Sequence, residues 1–239
     1  EDGIRDVAVT GVQTCALPIS VIASGMQFAS NGYLVQGDSI TLVGSPSAPS
    51  DAIVRVGDGT QEGAGITATI SAALIGDVLL RKTDSGTLAL TGTNSYTGGT
   101  VVEGGTVEIV TDANLGAASG RLLLNGGTLR AGADLIETRA TVLGISNGTI
   151  ETATAAGAPT TLEYATGIGG TGALTKTGSG TLLLTADSVY RGGTTISAGT
   201  LQLGNGGTAG GILGNIVDNA RLVVNRSNQI LLSGTISGT

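Results

Sequence analysis

Short alternations of aliphatic and polar residues recur along most of the chain. Thr87–Leu90 carries its aliphatic side chains at Leu88 and Leu90, and Leu182 and Leu184 repeat this arrangement further on. Alternation with a period of two is typical of a β-strand that buries one face. The alternating stretches are very short, and glycine-rich or polar segments separate them. The pattern therefore predicts many short strands, each with one buried face.

A tripeptide of Gly, Thr and an aliphatic residue begins many of these stretches. Successive copies are often separated by about 20 residues, a period that indicates a repeat architecture. This is the size of one coil in a three-stranded β-helix, with glycine at the corner and the aliphatic residue pointing inward. About 220 residues at about 20 per coil predict about 10 coils, and ~4.8 Å between stacked strands predicts a rod about 50 Å long. The tripeptides begin at Gly86, Gly105, Gly127, Gly148, Gly180, Gly199 and Gly234.

Two longer copies of the same pattern support a solenoid. Residues 80–109 align without gaps to residues 174–203 at a constant offset of 94, with 15 identities in 30 positions. Similar side chains one coil apart stack like on like in parallel register. A sandwich or jelly roll, which pairs strands through hairpins, stays open as the alternative. We predict an all-β chain folded as a parallel β-helix.

The composition agrees with an all-β chain and excludes some partners. The chain has 42 Gly, five aromatic residues, no Trp and no His, and 12% of its residues are charged. Thr, Ser and Asn must therefore supply most of its polar surface, which argues against surface helices. A net charge of −7 argues against nucleic acid as a partner, since phosphate binding needs clustered Lys and Arg. No apolar run reaches the ~18 residues of a membrane-spanning helix.

The two copies also resemble a known family. The first copy carries Gly-Thr-Leu at 86–88, then Asn94, Tyr96 and Gly-Gly-Thr at 98–100. This pattern resembles the passenger-associated transport repeat of autotransporter proteins. The second copy departs from it at 186–188, where Ala-Asp-Ser replaces the Gly-x-Asn turn. The flanking segments also resemble passenger sequences, so the resemblance covers nearly everything after Ser20.

The resemblance implies a right-handed parallel β-helix that is exported through a C-terminal outer-membrane β-barrel of the same full-length polypeptide. It also implies display at the cell surface of a Gram-negative bacterium, either anchored to the outer membrane or released from it. Host, matrix or cell-surface ligands are then the expected external partners.

The segment 1–19 differs from the rest of the chain. It reads EDGIRDVAVTGVQTCALPI, which resembles an in-frame translation of a sequencing adaptor. We expect the positions 1–19, including the sole cysteine, Cys15, not to be native. We expect positions 20–239 to be an internal fragment of a β-helical passenger, with the start of a third repeat copy at 236. The reason is that Ile-Ser-Gly-Thr at 236–239 matches Ile-Gly-Gly-Thr at 168–171 in three of four positions.

Candidate chemistry is sparse along the chain. Gly-Asp-Ser at 37–39 has the form of a hydrolase nucleophile, but such triads need an imidazole and the chain has no His. The Asp residues are scattered, and we expect them to be solvated turn residues rather than a carboxylate cluster. Asn-Gly-Gly at 205–207 is expected to be a loop, and 112–116 a corner in which Asn or Asp caps backbone amides. Tyr96 and Tyr190 could stack on a ligand, but their shared repeat position favours a structural role covering the coil edge.

We therefore expect no catalytic residue, no cofactor-binding residue, no metal ligand and no cofactor. The leading functional hypothesis is a structural stalk segment of a surface-displayed passenger that supports adhesion or another surface effector, and not an enzyme. The alternative is a direct adhesin or binding module. A β-helical polysaccharide lyase or hydrolase is the third hypothesis.

Overall fold

The computed structural model describes residues 21–60 and 62–239, so the adaptor-like segment 1–19 lies outside the described residues. Within them the chain forms 25 short strands and two 3₁₀ helices, Glu62–Gly65 and Asp112–Leu115. Neither of these helices has the length or the apolar surface needed to cross a membrane. The strands are, in chain order, β1 (Val21–Ala23), β2 (Gly25–Phe28), β3 (Tyr33–Val35), β4 (Ile40–Leu42), β5 (Asp51–Val56), β6 (Thr67–Ile70), β7 (Leu74–Ile75), β8 (Leu79–Thr83), β9 (Thr87–Leu90), β10 (Thr100–Val102), β11 (Thr106–Ile109), β12 (Leu122–Leu124), β13 (Thr128–Ala131), β14 (Leu135–Glu137), β15 (Thr141–Leu143), β16 (Gly148–Glu151), β17 (Thr161–Tyr164), β18 (Ile168–Gly170), β19 (Leu174–Thr177), β20 (Thr181–Leu184), β21 (Thr194–Ile196), β22 (Thr200–Leu203), β23 (Ile216–Asp218), β24 (Arg221–Val224) and β25 (Ile236–Ser237).

These strands stack in parallel on three faces of a β-helix. Each named strand pairs in parallel with a strand of the neighbouring coil. Face A begins as β1-β4-β7 and continues as β14-β17-β20-β22-β24; face B is β2-β5-β8-β10-β12-β15-β18; face C is β3-β6-β9-β11-β13-β16-β19-β21-β23-β25. The prediction of a parallel β-helix is confirmed.

Face C receives one strand from every coil, and its ten strands match the expected number of coils. We number the coils 1 to 10 in chain order. The register pairs Thr87 with Thr106, Thr106 with Thr128 and Thr128 with Thr149. The spacings between the Gly-Thr tripeptides of these strands are therefore true coil lengths. In this part of the chain, sequence spacing gives the strand register directly.

One hydrophobic core runs along the inside of the coils. Leu88, Leu90, Leu182 and Leu184, the inward positions expected from the alternation, are all fully buried. They belong to the same continuous cluster of aliphatic side chains. The polar partners in these strands, such as Thr87, remain partly accessible, as the period-two pattern requires.

The second repeat copy is rotated by one face relative to the first. The first copy begins with β8 on face B, whereas the second begins with β19 on face C. On face B, the residue that stacks in register with Leu80 four coils later is Ile168. Leu174, which is the equivalent of Leu80 in the repeat, lies one strand further along the chain, on face C. The constant offset between the two copies therefore spans four coils and one additional strand. The repeat encodes a local succession of strands and corners, and the length of the intervening coils decides which face receives it.

Candidate functional site

Each repeat copy contains a buried lysine that ties two corners together, an arrangement that we call the lysine clip. In the first copy Lys82 points inward from β8, and its Nζ donates to the carbonyl oxygens of Thr83 at 2.7 Å, Asp84 at 2.9 Å and Gly104 at 3.1 Å. In the second copy Lys176 donates to the equivalent carbonyl oxygens, those of Thr177 at 2.8 Å, Gly178 at 3.0 Å and Ala198 at 3.0 Å.

The lysine clip joins consecutive coils, because Gly104 lies one coil after the corner at Thr83. Both lysine side chains are fully buried, and burial lowers the pKa of each ammonium group to about 8. This role was not predicted from the sequence. The available signal was a lysine at an inward position of the alternation, identical in both copies.

The repeated tyrosine forms a second internal contact. The hydroxyls of Tyr96 and Thr100 lie 2.7 Å apart, and those of Tyr190 and Thr194 also lie 2.7 Å apart. Both tyrosine rings are fully buried. The structural interpretation of these residues therefore agrees with their contacts, but the expected position was wrong. The rings fill the core instead of covering the coil edge.

A third contact occupies the turn where the two copies differ in sequence. Asn94 Oδ1 accepts a hydrogen bond from the amide of Leu74 at 2.8 Å, one coil earlier. In the second copy, Ser188 Oγ accepts one from the amide of Ile168 at 3.1 Å, again one coil earlier. The serine thus keeps the acceptor role of the asparagine, and both side chains are buried.

The corner predicted at 112–116 is a 3₁₀ helix capped by an asparagine. Asn114 Oδ1 accepts hydrogen bonds from the amides of Val110 and Thr111, both at 2.9 Å. Its Nδ2 donates to the carbonyl oxygen of Gly92 at 2.9 Å, which links the corner to the preceding coil. The prediction that an Asn or Asp caps backbone amides here is confirmed.

A charged cluster lies inside the fold next to this corner. Arg139 Nε lies 2.6 Å from Asp112 Oδ1 and 3.1 Å from Glu137 Oε1. Arg139 and Glu137 are almost completely buried. The expectation that Asp112 is a solvated turn residue was wrong, because its side chain is only 20% exposed and pairs with Arg139. Glu137 belongs to the next coil, but β14 stacks beside the 3₁₀ helix and brings both carboxylates to one guanidinium group.

The surroundings shift the pKa values of the two carboxyl groups in opposite directions. Burial, together with the neighbouring Asp112 carboxylate, raises the pKa of Glu137 to about 9. Burial also opposes ionisation of Asp112, but the neighbouring Glu137 and Arg139 side chains hold the pKa of Asp112 below its ordinary value. Asp112 therefore pairs with Arg139 as an ion pair, whereas the surroundings of Glu137 oppose its ionisation.

The repeats are also found by comparison with known proteins. The model of the passenger-associated-transport-repeat matches residues 80–109 and 174–203, the two copies whose clips and buried tyrosines are described above. The chain carries autotransporter passenger repeats. It is also 52% identical over 219 residues to a protein named "Adhesin BmaC autotransporter" from Brucella suis biovar 1 (strain 1330). The match covers 92% of the chain and 6% of that relative's length. No solved structure matches the chain significantly.

Outside the passenger repeats, the candidate residues lie apart from one another. Asp38 and Ser39 are exposed in the turn before β4, as expected for a strand entry. Asn205 lies in an exposed segment after β22. Asp51 is not a turn residue, because it begins β5 and its carboxylate pairs with Arg81 at 2.6 Å. No three His, Cys, Asp or Glu side chains gather as metal ligands within residues 21–60 and 62–239. That the chain has no catalytic, cofactor or metal site stays a prediction.

The lysine clip of the passenger repeats leads to a testable prediction. Lys82→Met should lower the free energy of unfolding by about 2–3 kcal/mol, because three buried carbonyl oxygens lose a charged donor. Lys176→Met should have a similar effect, since its three contacts are equivalent. Urea denaturation followed by circular dichroism measures both variants.

The neighbouring Arg81 provides the control for this prediction. Its side chain points outward, is partly exposed and pairs with Asp51 and Glu103. Arg81→Met should reduce stability by no more than about 1 kcal/mol. A larger loss for Arg81→Met than for Lys82→Met would contradict the role given to the buried ammonium group.

Proposed function

We propose that the chain is a structural stalk segment of a surface-displayed autotransporter passenger. The observation that carries this proposal is the direction of the repeated polar contacts. Among the side chains shared by the two repeat copies, Lys82 and Lys176 bond between consecutive coils, and Tyr96 and Tyr190 bond inside the core. Such contacts stabilise the fold from within, and these buried side chains contribute nothing to the outer surface on which a ligand would bind. A rod of ten coils would hold a more distal adhesive or effector region away from the membrane.

The proposed setting follows from the repeat family and the relative. Autotransporter repeats and a relative named as an autotransporter adhesin support display at the surface of a Gram-negative bacterium. They also support a C-terminal outer-membrane β-barrel as the partner within the same polypeptide. The chain spans 6% of the length of that relative, so the activity, ligands and partners of the whole protein belong to this proposal.

A direct adhesive role is the second candidate, and the name of the relative favours it. To separate the two roles, this segment can be replaced in the full-length passenger by an equal number of coils from an unrelated β-helix. Bacterial adhesion to host cells should survive the replacement if the segment acts as a stalk. Loss of adhesion, with surface display and rod length unchanged, would show that the segment itself binds.

We further propose that the chain is not an enzyme. The lack of His and the distribution of its carboxylates support this, since the partly buried Asp112 and the buried Glu137 are both held by one arginine, Arg139. Incubation of the chain with acidic polysaccharides should release no products. Appearance of unsaturated or reducing ends would contradict the proposal.

We propose the domain division given by the sequence, with positions 20–239 as one β-helical unit and the start of a third repeat at 236. The support comes from three glycines at one position of the pattern. Gly76 and Gly238 directly follow β7 and β25, Gly170 ends β18, and the three φ values are 127°, 132° and 115° respectively. Strands β7, β18 and β25 lie on faces A, B and C, so each start is rotated one face from the last. Sequencing the source gene beyond the codon for Thr239 should show Gly-x-Leu-x-Lys, as at 172–176, and an unrelated continuation would refute the third copy.

A further inference from the structure

Glu137 occupies an unusual position for an acidic residue. It ends β14 with its side chain pointing into the core and fully buried. Its Oε1 accepts hydrogen bonds from Nε and the backbone amide of Arg139, at 3.1 and 3.3 Å. Within residues 21–60 and 62–239, Oε2 has no hydrogen-bond partner. A buried carboxylate in this setting would lack much of the solvation that an ionised oxygen requires.

The elements around Glu137 supply a single positive charge, which is already paired. The 3₁₀ helix of coil 5 contributes Asp112, and the turn after β14 contributes Arg139. From coil 7, β17 places Tyr164 in register with Glu137, and the hydroxyl of Tyr164 is likewise without a partner in the described part of the chain. The positive charge of Arg139 also acts on Tyr96 of coil 4, where it opposes the rise in hydroxyl pKa that burial causes. With Asp112 ionised, the cluster is neutral only if Glu137 is protonated.

We propose that the folded chain holds Glu137 as a neutral acid, so that coils 5 to 7 take up one proton on folding and lose stability as that proton is released. The stability of this middle section of the rod then depends on the protonation of one buried side chain. Mild acid stabilises this section and rising pH destabilises it, because ionised Glu137 would leave an uncompensated negative charge in the core.

The sign and the pH window follow from the two states of Glu137. In the unfolded chain its pKa is near 4.5, and in the folded chain its pKa is raised to about 9. Between these values the folded state binds one more proton than the unfolded state, so the unfolding equilibrium constant rises by about tenfold per pH unit. Stability therefore falls as pH increases across this range. Below about pH 4.5 both states are protonated, and the contribution of Glu137 no longer changes with pH.

The other groups with shifted pKa values change protonation outside the middle of this pH range. The aspartates with shifted pKa values all have them lowered from the ordinary 3.8, so they change the stability of the chain only at more acidic pH. Lys82 and Lys176, whose pKa values are lowered to about 8, act above that pH and in the opposite direction. The chain has no His. Between pH 5 and 7, Glu137 should therefore dominate the pH dependence of stability.

The test compares the wild-type chain with Glu137→Gln by urea denaturation between pH 5 and 7. The unfolding equilibrium constant of the wild type should rise roughly 100-fold over this interval. Glu137→Gln keeps the shape of the neutral acid but cannot ionise, so its stability should hardly change with pH. Glu163→Gln, a partly exposed position in the next strand of face A, is the matched control and should retain the wild-type slope.

A second measurement does not depend on the variant folding. Carbon-13 NMR of the side-chain carboxyl groups in the folded wild-type chain should show one glutamate that stays protonated at pH 7. Hydrogen exchange, corrected for its intrinsic pH dependence, should be faster in β14 and β17 at pH 7 than at pH 5. The proposal would be overturned if every glutamate lost its proton below pH 5, or if the stability of the wild type did not change between pH 5 and 7.

Discussion

Replacing Leu184 by aspartate should lower the free energy of unfolding by about 5 kcal/mol or more, enough to unfold the neighbouring coils. Leu184 is fully buried in β20, where it stacks between Tyr164 of the preceding coil and Leu203 of the following coil. The substitution removes an aliphatic side chain from the core and places an unpaired charge among buried side chains. Because the core is continuous along the rod, the damage should extend to both adjacent coils.

The neighbouring Leu183 provides a matched control on the same strand. Its side chain points to the outside and is partly exposed, so Leu183→Asp should change stability by less than about 1 kcal/mol. Urea denaturation followed by circular dichroism measures both variants. If Leu183→Asp were the more damaging substitution, the inward and outward assignments of β20 would be reversed.

Replacing Arg139 by methionine should lower the free energy of unfolding by about 3–5 kcal/mol. On face A, coils 4 and 5 have no β-strand, and Arg139 donates to backbone carbonyl oxygens of this irregular segment. The contacts are to Leu115 at 3.0 Å, Ala117 at 3.3 Å, Gly120 at 3.0 Å, Asp112 at 2.7 Å and Gly116 at 3.4 Å. Buried carbonyl groups need donors, and methionine would remove the guanidinium donors from these oxygens and the positive charge that pairs with the Asp112 carboxylate.

Two further variants test whether the geometry of the guanidinium group matters. Arg139→Lys should recover only part of the lost stability, because an ammonium group cannot direct donors to so many oxygens in fixed planar geometry. Arg121→Met, at an exposed position beside Gly120, should change stability by less than about 0.5 kcal/mol. Thermal unfolding of the three variants under one set of conditions provides the comparison. Full recovery with lysine would mean that charge alone matters at this position.

The sequence alone was sufficient for the class of fold and for much of the strand register. The alternation in β9 and β20 placed Leu88 and Leu184 inside correctly, since the period-two pattern is a local property of an extended strand. The Gly-Thr spacing gave the coil lengths between Thr87 and Thr149, because in a solenoid each residue stacks on its equivalent one coil later. The repeat pattern likewise identified the turn that Asn94 and Ser188 support.

The tertiary structure alone decided which groups meet across coils. The face that receives the second repeat depends on the summed length of four coils, which no local pattern records. Glu137 and Arg139 lie more than a coil length after Asp112, and only the irregular corner of coil 5 brings the three groups together. A charged residue at an inward position of the alternation, as at Lys82, was the available signal for such contacts. Its partners are backbone carbonyl oxygens, which every residue possesses, and only the folded path of the chain selects among them.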